Sequence, residues 1–144
     1  MMAMIAHELN LASNNAMSYV DGFVLVVPKK NVEAYRKMAK EGGKSWMKHG
    51  ALGYFECMGD DLNPNMGGPT PMRFQKLTKA KPTETVWFSF IVYKSRKHRD
   101  QVNKKVMKEM DEYVSKHPEK MIMPFDLKRM AYGGFKPMVE FWKK

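Results

Sequence analysis

Residues 86–93 read Val86-Trp87-Phe88-Ser89-Phe90-Ile91-Val92-Tyr93, the strongest strand signal in the chain. It is built almost wholly of β-branched and aromatic residues, the signature of a strand. Side chains alternate between the two faces of a strand. Here both alternating sets are apolar, with Ser89 the one interruption. A strand of this kind needs cover on both faces. Residues 19–27 repeat the pattern, with Tyr19, Asp21, Phe23, Leu25 and Val27 on one face and Val20, Gly22, Val24 and Val26 on the other, both sets mostly apolar. Pro28 marks its end.

Helices separate these strands from weaker ones. Asn31 is placed to cap a helix in which Val32, Tyr35, Ala39, Gly42 and Trp46 recur at spacings of three and four, with Lys37, Lys40, Glu41, Lys44 and Lys48 mostly off that stripe. Gly50 stops it. Gly42-Gly43 inside a helix costs about 1 kcal/mol per glycine, so close approach to a neighbour is the expected return. Residues 51–58 read as a second strand and 59–72 as a loop dense in Gly and Pro. Residues 73–80 read as a weaker strand. Ser95 caps a second long helix with Val102, Val106, Met110 and Tyr113 on one face, ended by His117-Pro118. Residues 129–135 read as a last strand, with a tail to Lys144 that extends it past Pro137.

The order β-α-β-(β)-β-α-β predicts an α+β fold: a ferredoxin-like βαββαβ antiparallel sheet with two helices on one face. Two helices cover only one side of such a sheet. The other side would expose a contiguous apolar patch of a size that soluble monomers rarely show. Burying one large side chain contributes roughly 1.5–3 kcal/mol. About five or six per subunit would outweigh the roughly 4–15 kcal/mol cost of association. The expectation is a two-fold homodimer whose sheets meet face to face as a dimeric α+β barrel. In the competing arrangement, loop 59–72 and the tail fold over the open face of a monomer.

Composition bounds the rest. The chain has 144 residues, one ordinary domain, with 44% hydrophobic and 28% charged residues. Residues 1–16 read as a leader outside the fold, with a second start at Met17 and the folded domain over 17–144. They lack the basic start and long apolar stretch of a secretory signal. One cysteine, Cys57, rules out a disulfide within the chain, and together these features place the protein in a reducing cytoplasm. No apolar run is long enough to span a bilayer, so no membrane partner is expected. His7, His49, His98 and His117 lie far apart and Cys57 has no partner at ligand spacing, so no metal is expected, and no cofactor is called for.

Four stretches carry a family likeness: 17–23 (MSYVDGF), 34–40 (AYRKMAK), 56–61 (ECMGDD) and 123–135 (MPFDLKRMAYGGF). Together they resemble the DUF1428 family of small bacterial proteins, over about residues 17–136, and the last stretch is the most specific. The resemblance implies the dimeric α+β barrel superfamily. It carries over no catalytic residue, because the family's function is not established. The leader and the high Met and Lys content depart from the family's usual pattern.

Six residues form a candidate pocket. Asp21 and Glu56 are carboxylates within otherwise apolar strands, and Ser89 interrupts the strongest strand. Facing inward, they would line a cavity with Trp87, Arg129 and Tyr132, where a desolvated carboxylate acts as a proton-transfer group. Alternatively they sit at an edge, or pair with Arg129. The net charge of +10 raises the question of a polyanion. Lys94, Arg96, Lys97, Arg99, Lys104 and Lys105 cluster and are the candidate phosphate contacts. Against this, cations are disfavoured in a helix's first turn, and base-stacking aromatics are missing among them. The leading expectation is a homodimer that binds a small apolar or aromatic ligand between helices and sheet. A cofactor-independent monooxygenase-like enzyme, by analogy with superfamily relatives, is the second reading, and a weak nucleic-acid binder the third.

Overall fold

The structure, a computed structural model, describes residues 18–120 and 122–144. The leader 1–16 and the start at Met17 lie outside the described residues. The elements are β1 (Tyr19–Pro28), α1 (Val32–Lys48), β2 (Gly53–Met58), α2 (Phe74–Thr78), β3 (Glu84–Tyr93), α3 (Arg96–Lys116) and β4 (Ala131–Phe135). Single 3-10 turns fall at Lys29–Asn31, Pro118–Lys120 and Leu127–Arg129. Among the described residues the four strands form one antiparallel sheet in the order β2-β3-β1-β4. The two strands with apolar residues on both faces are therefore the two central ones.

Register sorts the side chains by face. Leu25 lies opposite Trp87, Asp21 opposite Ile91 and Tyr19 opposite Tyr93, so these residues share one face. Both long helices pack there. Tyr35 and Ala39 of α1 close over Leu25, Val27 and Trp87, while Val102 and Val106 of α3 close over Ile91, Tyr93 and Ala51. The opposite face carries Val20, Val24, Phe55, Phe88, Phe90, Val92 and Phe135. Phe55 and Phe90 stack with centroids 4.6 Å apart, and Phe88 follows at 5.7 Å. Of the large residues on this face, Val26 and Val86 alone are buried, at the end where α2 packs against β1 and β3. Phe55 and Phe88 stay about half exposed, at 49% and 48%. Met66 of the loop and Met138 and Phe141 of the tail are themselves largely exposed.

Several expectations change. Residues 73–80 are not a strand; Phe74–Thr78 is a short helix with Arg73 at its N-cap position and Lys79 in the left-handed conformation, φ 54°. Phe74 and Leu77 stand three apart, a helical spacing, and the Thr78 hydroxyl donates to the Phe74 carbonyl at 2.7 Å. Residues 136–144 do not extend β4, since Pro137 has no N–H to give a ladder. The second strand begins at Gly53 rather than Ala51, and the last at Ala131 rather than Arg129. Asn31 sits at the N-cap of α1 but sends its amide to the Pro124 carbonyl, 3.0 Å away, instead of capping. Ser95 does cap, accepting from the His98 N–H at 3.1 Å. On α3 only Val102 and Val106 of the expected stripe are buried, while Met110 and Tyr113 are exposed.

Polar contacts lock α1 to α3. Trp46 Nε1 and Tyr93 Oη both donate to Asn103 Oδ1 at 3.0 Å. Glu109 of α3 is held by His49, Lys48 and Ser45, at 2.7, 3.1 and 3.1 Å. The hydrogen bond from His49, then that from Lys48, pulls its carboxyl down to about 2.

The two helix glycines play different parts. A Cβ at Gly43 would stand 2.8 Å from the Tyr54 ring, which is stacked on Trp46 and cannot swing away. A Cβ at Gly42 would meet Tyr54 and Trp46 atoms at ordinary contact distances of 3.4 and 3.5 Å. Gly43→Ala is expected to destabilise by about 1–3 kcal/mol through overpacking, whereas Gly42→Ala should stabilise by up to about 1 kcal/mol through helix propensity. Urea denaturation of the two variants checks the opposite signs.

Candidate functional site

Glu56 is the centre of the first polar cluster. It stands on the helix-covered face of edge strand β2, opposite Ser89 of β3. Alternation along β2 puts Tyr54 and Met58 on the same face. Three hydroxyls converge on its carboxylate. Tyr35 Oη of α1 donates to Oε2 at 2.7 Å, Tyr54 Oη donates to Oε1 at 2.9 Å, and Ser89 Oγ also donates to Oε2. Burial, and then the charge of Glu56, push both phenols well above their ordinary range, so they remain donors. Tyr35 is in turn fixed by edge-to-face contacts with Trp87 and Phe125.

Beside Glu56 opens a pocket of about 440 Å³, between the first half of α1 and the β2–β3 edge. Val32, Ala39, Tyr54, Met58 and Trp87 give it apolar and aromatic walls, and Glu33, Arg36 and Lys40 line it from α1. The size falls within the roughly 300–1,000 Å³ of small-molecule sites. Trp87 Nε1 donates to Thr85 Oγ1 at 2.9 Å, which fixes the indole.

Asp21 belongs to a second cluster. It is 1% exposed and pairs with Arg99 of α3 at 2.6 Å. Asn103 Nδ2 adds a long contact at 3.4 Å. Arg99 also donates to Tyr132 Oη of β4 at 3.2 Å and to Asp100, and lies 5.0 Å above the Tyr19 ring. This network ties β1, α3 and β4 together. Burial, and then the Asp21 charge, raise Tyr93 and Tyr132.

The six candidate pocket residues therefore separate. Glu56, Ser89 and Trp87 come together, with Ser89 reaching the carboxylate from beneath, 3% exposed. Asp21 and Tyr132 share the same sheet face but serve the Arg99 network. Arg129 joins neither, and pairs with neither Asp21 nor Glu56. It bridges to Glu84 at 2.5 and 3.2 Å and to the carbonyls of Thr78 and Lys79. It sits in the turn before β4, so its reach is to the start of β3. Arg99 leaves the candidate phosphate contacts for a physical reason: its charge is spent on a buried aspartate. Lys94, Arg96, Lys97, Lys104 and Lys105 are exposed. Cys57 is exposed on β2. Among the described residues no three His, Cys, Asp or Glu side chains gather as a metal site, and no helix is long and apolar enough to cross a membrane.

Sequence reading missed Tyr35, Tyr54 and the Asp21–Arg99 pair. Tyr54 carried a usable signal, since it stands two residues before Glu56 on one strand. Tyr35 read as core because it lies on the apolar stripe of α1. Arg99 read as one of six clustered cations, a candidate phosphate contact.

An unpaired carboxylate as deeply buried as Asp21 is costly. Arg99→Met is expected to destabilise by about 3–5 kcal/mol, and the double variant Asp21→Asn/Arg99→Met should recover part of that loss. Chemical denaturation of the single and double variants measures both.

Comparison with known proteins agrees with the motif likeness. The model of the family described as "Protein of unknown function (DUF1428)" matches residues 18–127. Uncharacterized protein YbaA of Escherichia coli K12 is 41% identical over 124 residues, covering 86% of this chain and 99% of that protein. YbaA of Shigella flexneri matches to the same extent. These descriptions assign the relatives no activity. With most of its length matched by the family model and nearly all of a 41%-identical relative covered, the chain belongs to the DUF1428 family.

Proposed function

We propose that the protein is a cytoplasmic homodimer of ferredoxin-like subunits that binds a small apolar or aromatic ligand in the pocket beside Glu56. The observation that carries the binding reading is the pocket itself. Trp87, Tyr54, Met58, Ala39 and Val32 supply an apolar lining, and one carboxylate held by three hydroxyls supplies a fixed polar point. Walls of this kind with few, well-placed polar groups are the usual form of a small-molecule site. The strand order β2-β3-β1-β4, with α1 and α3 on one face, supports the ferredoxin-like reading. The row Phe55, Phe90, Phe88 on the open face supports pairing of two sheets as a dimeric α+β barrel. The pocket lies on the other face, so ligand entry and pairing do not compete.

Indole serves as a neutral aromatic probe. Titrated into isotope-labelled protein, it should shift the amide signals of Val32, Ala39, Met58 and Trp87. Shifts confined elsewhere, or none at millimolar indole, would overturn the pocket reading. For assembly, sedimentation at micromolar concentration should give a dimer, and Phe55→Glu/Phe88→Glu should give a folded monomer. A monomeric wild-type protein would remove the barrel.

A further inference from the structure

The proposed pocket carries charges of both signs, and their placement limits what can fill it. Glu56 offers about four acceptor positions as a carboxylate. Oε2 takes two, from Tyr35 and Ser89, and Oε1 takes one, from Tyr54. One acceptor position on Oε1 is therefore left over, on a group that lines the pocket. Among the described residues no cation touches Glu56. Its partners are three neutral hydroxyls, and Arg129 and Arg99 are committed elsewhere.

Arg36 and Lys40 stand on α1 along the same pocket, four residues apart and thus on one side of the helix. Arg36 has only a 3.9 Å contact with Glu33, both side chains being largely exposed, which is worth little. Lys40 makes no ion pair among the described residues. A simple cation drawn to Glu56 or Glu33 would still meet Arg36 and Lys40 beside them and leave those two charges without an anion, on a net +10 protein. A simple apolar acid would be drawn by them but would bring its far end against the Glu56 carboxylate. A ligand satisfies both sites when one end is anionic and the other is a neutral hydrogen-bond donor, with an aromatic or aliphatic body between.

Resting on the pocket reading above, we infer that the ligand is an apolar hydroxy acid: its anionic end sits on Arg36 and Lys40, and its hydroxyl donates to the free position on Glu56 Oε1. Tyr54 and Trp87 flank the body. The three protein hydroxyls hold Glu56 as an acceptor, so it rewards a donor and repels a second acceptor. This would make Glu56 the specificity-determining residue and the two α1 cations the source of general affinity for acids.

The test compares para-hydroxyphenylacetate, phenylacetate and tyramine by amide-shift titration of the full chain. The hydroxy acid should bind about tenfold or more tightly than phenylacetate, as expected for a hydrogen bond to a charged group, and tyramine should bind least. Glu56→Gln should shrink the preference for the hydroxyl. Arg36→Ala/Lys40→Ala, at exposed positions that do not threaten the fold, should weaken both acids alike. Equal affinity of the two acids in the wild type, tyramine as the tightest of the three, or no loss in the Arg36/Lys40 variant would each overturn the inference. If the shifts still fell on the pocket, the pocket reading would stand. If none of these probes, nor indole, shifted the pocket, that reading itself would fall.

Discussion

Strand β3 is apolar on both faces, and its own chain lays long helices on only one of them, the short α2 reaching just the Val26–Val86 end of the other. The other features follow from this. On the covered face, α1 and α3 must lie close enough to exclude water from Trp87, Ile91 and Tyr93, and Gly43 lets α1 descend onto Tyr54. On the other face the aromatic row remains about half exposed. The asymmetry separates two environments: one side of the sheet holds polar clusters under helices, and the other presents a half-exposed aromatic row.

The polar groups under the helices satisfy a common rule in two ways. A buried charge must be paired or well hydrogen-bonded. Asp21 takes the first route, with a guanidinium that also reaches β4 and stacks over Tyr19. Its role is to hold the sheet's far edge to α3. Glu56 takes the second route, with hydroxyls from α1, β2 and β3 and, among the described residues, no cation. A carboxylate held this way keeps part of its charge unspent, and it borders a pocket. That difference, rather than residue type, separates a structural carboxylate from a candidate binding one.

Much of this arrangement was legible in the chain. The two-faced strands, the stripe of α1, the Val102–Val106 part of the stripe of α3, the Ser95 cap and the loop at 59–72 follow from periodicity and turn chemistry, which are local. Asp21, Glu56 and Ser89 stood out because each breaks an apolar run. What could not be read was which cation met which carboxylate. Arg129 was close in pattern to Asp21 and Glu56, yet it belongs to Glu84; Arg99 looked like one of six surface bases, yet it is the partner of Asp21. The short helix 74–78 was hidden because Phe74 and Leu77 are too few to show a period.

Alternation and composition determined by themselves the α+β class, the two central strands and the surplus of apolar surface, because those depend on residues near one another in sequence. Pairing between β1 and α3, the meeting of Tyr35, Tyr54 and Ser89 on Glu56, and the pocket under α1 were decided only in three dimensions. Apart from Tyr54, two residues before Glu56, they join residues 21 to 78 positions apart, and such contacts are fixed by strand register and helix packing rather than by any local signal.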